Sequence, residues 1–383
     1  MGTKNFNIGS TLAVFFAPET SLLTPHKPEA TEALRAISAT IGRPQDYAFA
    51  NDRRGGRSRW ERVQLRDPVV PWSISCLLRP SGTAGTAPEI GDVLKHLMGS
   101  VAVVGGTSVT YSFLEDPTAL SASIYVGRTH TQEGCYGAIV NKATINWGEG
   151  LATVSFSGEA VGYINGGYTT LSTGMTGLTT ATVADASNFT PYSIVQVGSD
   201  TNTGAGYMIN SISGNVLTLE SAVTAATGSV VKAFLPDPTY VGNALGDRAG
   251  SLSLDASATT IAHLPSSLDI ENGVSLLTME AFQTGASDVL AAGIRNVSPK
   301  LNFLVARENN YVINDMRAKT TYDTHITIGA ATAGARMKLD MPYLQFTAED
   351  QDSPEEGTEK WSASGVALAT STAGGDELSI VFE

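Results

Sequence analysis

The sequence predicts a mainly β protein of the α+β class: two larger lobes, each with one helix packed on its sheet, and a small all-β module inserted between them. Three observations carry that prediction. Apolar and polar residues alternate with a period of two through much of the first and last thirds, the mark of strands with one buried face. The middle, from Gly166 to Val231, is Thr, Ser, Gly, Ala and Val, almost uncharged, with short alternating runs closed by Gly and Asn turns. A hydrophobic fraction of 42% is enough to build cores, while only 16% of residues are charged, so Ser, Thr, Asn, Gly and Ala must cover much of the surface. At about 150 residues per domain, the length gives two or three domains.

The first lobe spans residues 1–164. Ala33 to Ile41 is open to two readings, since ALRAISATI fits helix spacing and strand alternation alike. Thr86 is placed to cap a helix with Pro88 and Glu89 in its first turn. Ile90, Val93, Leu94, Leu97 and Met98 then follow at i, i+3, i+4, i+7 and i+8, and Gly99 stops it. Ala143, Ile145 and Trp147 alternate with Thr144 and Asn146, and after the Gly148-Glu149-Gly150 turn Val154 and Phe156 alternate with Ser155 and Ser157. That is a hairpin with one buried face.

The inserted module covers 165–237, with Gly166-Gly167 before it and Pro236-Asp237-Pro238 after it as linkers. The second lobe, 238–383, repeats the logic of the first. Leu301, Phe303 and Val305 alternate with Asn302 and Leu304, and Asn310 to Lys319 reads as a short helix. Met337, Leu339 and Met341 alternate with Lys338 and Asp340 until Pro342 shifts the phase to Leu344 and Phe346, which suits an edge or a bulge. Leu378, Ile380 and Phe382 close the chain as another one-sided strand.

Charge is unevenly spread. Residues 1–164 hold 14 basic and 14 acidic side chains, the insert is nearly neutral, and residues 236–383 hold 9 basic against 20 acidic. The net charge of −13 argues against general affinity for nucleic acid or for an anionic membrane. No apolar run reaches the 18 or so residues of a spanning helix. The opening stretch, with an apolar run only from Leu12 to Ala17, is too short for a secretory signal, so synthesis in the cytoplasm is expected. Cys76 and Cys135 lack a CxxC context and read as two buried thiols, with a single disulfide as the alternative.

Chemistry-bearing motifs are absent. The five histidines (His26, His96, His130, His263, His325) never fall at metal-ligand spacing, and along the chain none lies beside a carboxylate pair. There is no nucleophile elbow, phosphate loop or dinucleotide fingerprint, so neither an enzyme nor a cofactor is expected. PSGTAGTAP (80–88) lacks a phosphate-binding Lys and reads as a turn into the helix. Glu349, Asp350, Asp352, Glu355, Glu356 and Glu359 lack the ordered spacing of a calcium loop, and Pro354 with Gly357 makes them a solvated loop between strands. The one basic concentration, Arg53, Arg54, Arg57, Arg59, Arg62 and Arg66 around Gly55-Gly56, reads as an exposed hairpin tip with charged arms. It suits docking to an acidic protein surface, which the last lobe itself supplies.

WSISCLLRPSGTAGTAPEIGDVLKHLMGS (72–100) resembles the signature stretch of major tail tube proteins of long, flexible-tailed bacteriophages, where a strand runs through a Gly-rich turn into the helix of the tube fold. EGCYGAIVNKATINWGEGLATVSFSGEAVGYI (133–164) is similar to the closing strands of that domain. Residues 335–368 are similar to the same element again, and 295–307 to the strand before the helix. The resemblance covers roughly 8–164 and 238–383 and leaves out the insert.

The resemblance implies that each lobe is a β-sandwich or small barrel with a flanking helix, whose inner sheet joins its neighbours into a ring around a pore wide enough for duplex DNA. Two tandem tube domains per chain imply a homotrimeric, pseudo-sixfold ring, with a hexamer of single larger units as the alternative. Implied partners are further copies of the chain, a tape-measure protein, a tail terminator and tail-tip proteins, in a virion tail assembled in the host cytoplasm. DNA would pass without adhering, and no membrane is involved. Excess carboxylate from 236–383 is expected along the bore and the insert on the outside. The Arg53–Arg66 loop is expected to reach a neighbouring subunit or ring, at acids such as those of 349–359. Rival readings are a carbohydrate-binding adhesin, which should expose clustered aromatics, another virion decoration protein, and a β-rich hydrolase.

Overall fold

The computed structural model describes residues 12–43, 46–49, 62–66, 69–115, 120–128, 131–148, 150–246, 250–254, 260–261, 264–277, 289–304, 319–352 and 357–383. The architecture is mainly β. Eight strands lie side by side, each antiparallel to the next, in the order Ala36–Ile41, Val70–Leu77, Thr153–Ala160, Gln132–Trp147, Ser266–Glu271, Asn296–Leu304, Lys360–Leu368 and Arg336–Asp352. The sheet continues through Ser379–Phe382 to Ser108–Phe113 and Gly99–Val104, curling into a barrel-like wall around one core.

The chain passes through the same series of pairings twice. In each pass an outer strand (Ala36–Ile41, then Ser266–Glu271) pairs with the next (Val70–Leu77, then Asn296–Leu304). That strand pairs with a return strand (Thr153–Ala160, then Lys360–Leu368), which lies on the far half of a long strand (Gln132–Trp147, then Arg336–Asp352). The near half of each long strand takes different neighbours, Ala122–Gly127 and Gly162–Gly166 in the first pass, Tyr322–Gly329 and Ser379–Phe382 in the second. Even the irregularities recur. Against its return strand, each long strand carries a bulge, between Val140 and Lys142 and between Phe346 and Ala348. Each return strand has Ser-Gly at the same place, and a Cβ on Gly158 or Gly365 would press on the long strand's carbonyl oxygen, at Ile139 or Gln345.

The two passes are joined edge to edge, because Ser266–Glu271 adds directly to Gln132–Trp147 from Lys142↔Glu271 to Trp147↔Ser266. One core therefore draws Trp72, Ile74, Phe156, Ile145 and Trp147 together with Leu268, Phe303, Met337, Leu339, Trp361 and Phe382. Each such side chain contributes about 1.5–3 kcal/mol by leaving water. Arg295 ties the passes at the surface, donating to the Leu114 carbonyl (2.6 Å), to Glu377 (3.0 Å) and to Glu115 while its guanidinium lies over Phe113.

A second, smaller sheet packs behind the first: Ala33–Leu34, Ala13–Pro18, Ala122–Gly127, the near half of Gln132–Trp147, and Gly162–Gly166. Both of its faces are dry. Val14, Phe16, Ile124 and Val126 point into the main core, where Phe16 meets Trp72 of the first sheet and His96 of the helix. Phe15, Tyr125 and Ile164 point the opposite way and pack on Ile194, Met208 and Phe234 of the insert. That double burial explains the unbroken apolar run AVFFA.

The insert is a separate six-stranded sheet, in the order Tyr168–Thr170, Val230–Ala233, Ile194–Val197, Tyr207–Ser213, Val216–Ala225, Met175–Thr182, with its own core around Leu171, Phe189, Val195, Tyr207, Ile209, Leu217 and Val231. It is fastened by polar bonds as well. Buried Gln132 accepts from the Ile194 N–H (2.9 Å) and donates to the Phe234 carbonyl (3.3 Å), and Lys27 pairs with Glu220. The module thus packs on the far side of the core from the main sheet's outer face.

The one α-helix among the described residues is Gly91–Met98, with Ile90, Val93, Leu94, Leu97 and Met98 buried and Gly99 ending it in the left-handed region (φ 93°). Its start differs from expectation: Ile90, not Thr86, is the N-cap, and no side chain caps it. Thr86 belongs to a preceding turn, and Glu89 is taken by Arg35, whose Nε donates at 2.8 Å. Ala33 to Ile41 is strand, and the stretch 305–318, with most of the expected second helix, lies outside the described residues. Pro342 sits where the pairing shifts between Tyr322 and Thr324, as the phase change required.

Ile194 and Val195 are adjacent in one strand and face opposite cores. Ile194→Asp is expected to release the insert as a folded unit, seen as new protease cleavage at Gly166-Gly167 and Pro236–Pro238. Val195→Asp is expected to unfold the insert itself, so that cleavage spreads through it.

Candidate assembly and passage surfaces

Between its bulges the main sheet alternates between its dry face and an outer one, and the register aligns the outer residues into rows that cross the join between passes. One row runs Ser38, Ser75, Ser155, Thr144, Asp269, Ser298. The next runs Thr40, Ser73, Ser157, Lys142, Glu271, Asn296, and a third Thr153, Asn146, Ser267, Lys300, Ser364. At about 4.8 Å between strands, a six-strand row is about 24 Å wide. Hydroxyls bond along the rows, Ser155 Oγ to Ser75 Oγ at 3.0 Å and Thr144 Oγ1 to Asp269 Oδ1 at 2.5 Å.

This face is nearly free of net charge. The strands Ala36–Ile41, Val70–Leu77, Thr153–Ala160, Gln132–Trp147, Ser266–Glu271, Asn296–Leu304 and Lys360–Leu368 contain none of the chain's fifteen arginines. Their outward lysines are Lys142, Lys300 and Lys360. Lys142 Nζ is held by Glu271 at 3.1 Å and Asp269 at 3.9 Å.

Of the acidic run expected as a loop, Glu349, Asp350 and Asp352 instead belong to the strand Arg336–Asp352, opposite Ala363, Ser362 and Lys360. The strand continues because Gln351 faces Trp361, whose side chain is buried. Asp350 is exposed, while Glu355 and Glu356 lie outside the described residues. Arg53, Arg54, Arg57 and Arg59 also lie outside them. Arg62 is exposed at the start of Arg62–Arg66, which pairs with Asp46–Phe49 as the arms of a hairpin. Within one chain the described members of the two groups stand on different hairpins. Residues 80–88 form the expected turn, with Ser81 Oγ donating to the Thr83 and Thr86 carbonyls.

Sequence reasoning missed three polar residues. Glu19 is half-buried and accepts from Ser121 Oγ (2.5 Å), Ser123 Oγ (2.8 Å) and the Gly137 N–H (2.9 Å), at the point where the first long strand bends with φ 62° at Gly137. Burial raises its pKa against those bonds. Gln132 is the second. The third is His325, whose Nδ1 lies 2.7 Å from Asp340 across the register and whose Nε2 lies 3.3 Å from Asp323, two residues back on the same face. The bond to Asp340 raises its pKa. Only the i, i+2 spacing of Asp323 and His325 hinted at this.

Cys76 and Cys135 are both buried and free, and burial pushes the Cys76 thiol up to about 12. The described residues include no cluster of three His, Cys, Asp or Glu suited to a metal ion, and no described helix is long and apolar enough to cross a membrane. Neither protein-family models nor curated proteins match the chain.

Glu32, beside His26 in a tight turn, is pushed by burial from 4.5 to about 7. A carboxyl that binds its proton more tightly when folded adds stability that is full below its ordinary value and disappears as pH rises through the folded one. The unfolding free energy is therefore expected to fall between pH 4.5 and 7 by on the order of 1–2 kcal/mol, since water still reaches the group. Urea titrations of Glu32→Gln should show that slope flattened. Glu19→Ala, which leaves the Gly137 N–H and two hydroxyls without their acceptor, is expected to cost about 2–4 kcal/mol in the same measurement.

Proposed function

We propose that the chain is a tail tube unit of the kind found in long, flexible-tailed bacteriophages, a virion structural protein that polymerises into stacked rings and encloses a conduit for DNA during genome ejection. The observation that carries this reading is the twice-repeated strand series. Two β units fused edge to edge in one sheet are what a ring of such units needs, and three chains supply six units in a trimeric, pseudo-sixfold ring. The motif at 72–100 supports it from the sequence: its strand and helix fall at Val70–Leu77 and Gly91–Met98.

The outer face of the main sheet supports the conduit. Duplex DNA carries a charge about every 1.7 Å, and each Lys or Arg that reaches a phosphate adds affinity by releasing counterions. A wall of Ser, Thr and Asn, free of arginine over the seven strands from Ala36–Ile41 to Lys360–Leu368 and with Lys142 already neutralised, offers few such contacts. In this reading non-adhesion comes mainly from hydroxyl and amide groups, with Asp269, Glu271 and Asp350 as the carboxylates of the wall. The insert, across the core from that face, then stands on the outside. The tape-measure, terminator and tail-tip proteins are the further partners of this reading.

Purified protein viewed in negative stain is expected to show rings or tubes, and dispersed monomers at all concentrations would refute the reading. Exposed ion pairs contribute about 0–1 kcal/mol each, so the arginine hairpin matters only through repetition round a ring. Replacing Arg53, Arg54, Arg57 and Arg59 with Glu should make tubes dissociate at lower salt, scored by sedimentation. Unchanged salt resistance would remove that hairpin from the interface.

A further inference from the structure

The join between the two passes is a template for the join between two chains. On the far half of the first long strand, Asn146 has Thr153 on one side and Ser267 on the other. On the second long strand, Asp352 has Lys360 on one side, and no described strand pairs on the other side of residues 345–352. At the opposite end of the same sheet, Ala36–Ile41 pairs with Val70–Leu77 alone among the described residues. Among the described residues the sheet thus ends in two complementary edges. One is an outer strand lacking its long strand, and the other a long strand lacking its outer strand.

We propose that the end of Ala36–Ile41 and the residues after it, 40–43, pair with residues 349–352 of a second copy, reproducing between chains the ladder that Gln132–Trp147 makes with Ser266–Glu271 inside one. The proposal rests on the tube reading and specifies its lateral interface.

The register follows from the repeat. Ser267 lies opposite Lys300, and Lys300 opposite Ser364. Thr40 lies opposite Ser73, and Ser73 opposite Ser157. Ser157-Gly158 and Ser364-Gly365 are the same point of the repeat, so Thr40 takes the place of Ser267. Asp352, opposite Lys360, takes the place of Asn146, opposite Thr153. Thr40 of one chain therefore faces Asp352 of the next, and one step along Ile41 faces Gln351.

Two further observations point to a second copy as the occupant. Tyr343 and Leu368 are cross-strand partners on the second long strand and its return strand, and both are about two-fifths exposed, at 44% and 39%. In the first pass, the hairpin that follows the outer strand (Val274–Leu277 with Val289–Ala292) lies against the long and return strands, with the Leu276 N–H on Glu159. Its counterpart in the repeat is the Asp46–Phe49/Arg62–Arg66 hairpin, which the same docking would carry over the neighbour's second long strand. Because the two edges differ, the contact is head-to-tail and generates a ring or a helix rather than a two-fold dimer.

The test is disulfide cross-linking of polymers first seen in the microscope. Asn146→Cys with Ser267→Cys is the internal control and should close within one chain. Thr40→Cys with Asp352→Cys should link chains, giving dimers and trimers on a non-reducing gel, with no larger species if three chains close the ring. Buried Cys76 and Cys135 give little background, checked with each single variant. Polymers that form but never cross-link through Thr40 and Asp352, while the control pair closes, would overturn this interface and leave the tube reading standing. Failure to polymerise at all, including in the unaltered protein, would overturn both.

Discussion

The architecture depends on a bend. Gln132–Trp147 serves two sheets that lie on opposite sides of the core, and it passes from one to the other at Gly137, whose φ of 62° suits a residue without a Cβ. Such a bend breaks the ladder and leaves an N–H without a strand partner. Glu19 takes that N–H and two hydroxyls of the neighbouring strand on one half-buried carboxylate. Without the bend the strand could not carry the small sheet, and the insert with it, at one end and the main sheet at the other.

From that geometry the layers follow in order: hydroxyl-rich face, main sheet, core and helix, small sheet, insert. Each step is a consequence of period-two alternation applied to a strand dry on one face or on both. Val14 and Phe16 face one core, and Phe15 between them faces another. The main energy is apolar burial on both sides of the small sheet. The polar bonds of Gln132 and Lys27 set where the insert sits more than how tightly it holds, because a hydrogen bond contributes only about 1 kcal/mol net.

Local patterns were legible where a single element settles them. Ala143, Ile145 and Trp147 were assigned their face correctly, as were Val154, Phe156 and the apolar side of the helix, and the phase change at Pro342 sits beside an observed bulge. The helix start was misread at Thr86 because a good capping residue lay one turn too early, inside a turn organised by Ser81. Glu349, Asp350 and Asp352 were misread as loop because charge and a nearby Pro outweighed an alternation, buried Trp361 opposite Gln351, that only becomes visible across two strands. Glu19, Gln132 and His325 carried no pattern of their own, since their partners lie far away in sequence or, for Asp323, look like chance.

The sequence by itself determined which residues are dry, where the chain changes character, and that its surface is poor in charge, because hydrophobic periodicity and composition are properties of short windows. Only the tertiary structure decided which strand lies beside which. A strand's pattern names its buried face but not its neighbour, and the neighbours here are far apart in the chain. The pairing of Asn146 with Ser267, the alignment of serines into rows across both passes, and the two unfilled edges all arise from that long-range choice. So does the position of the insert behind the core, which follows from the bend at Gly137.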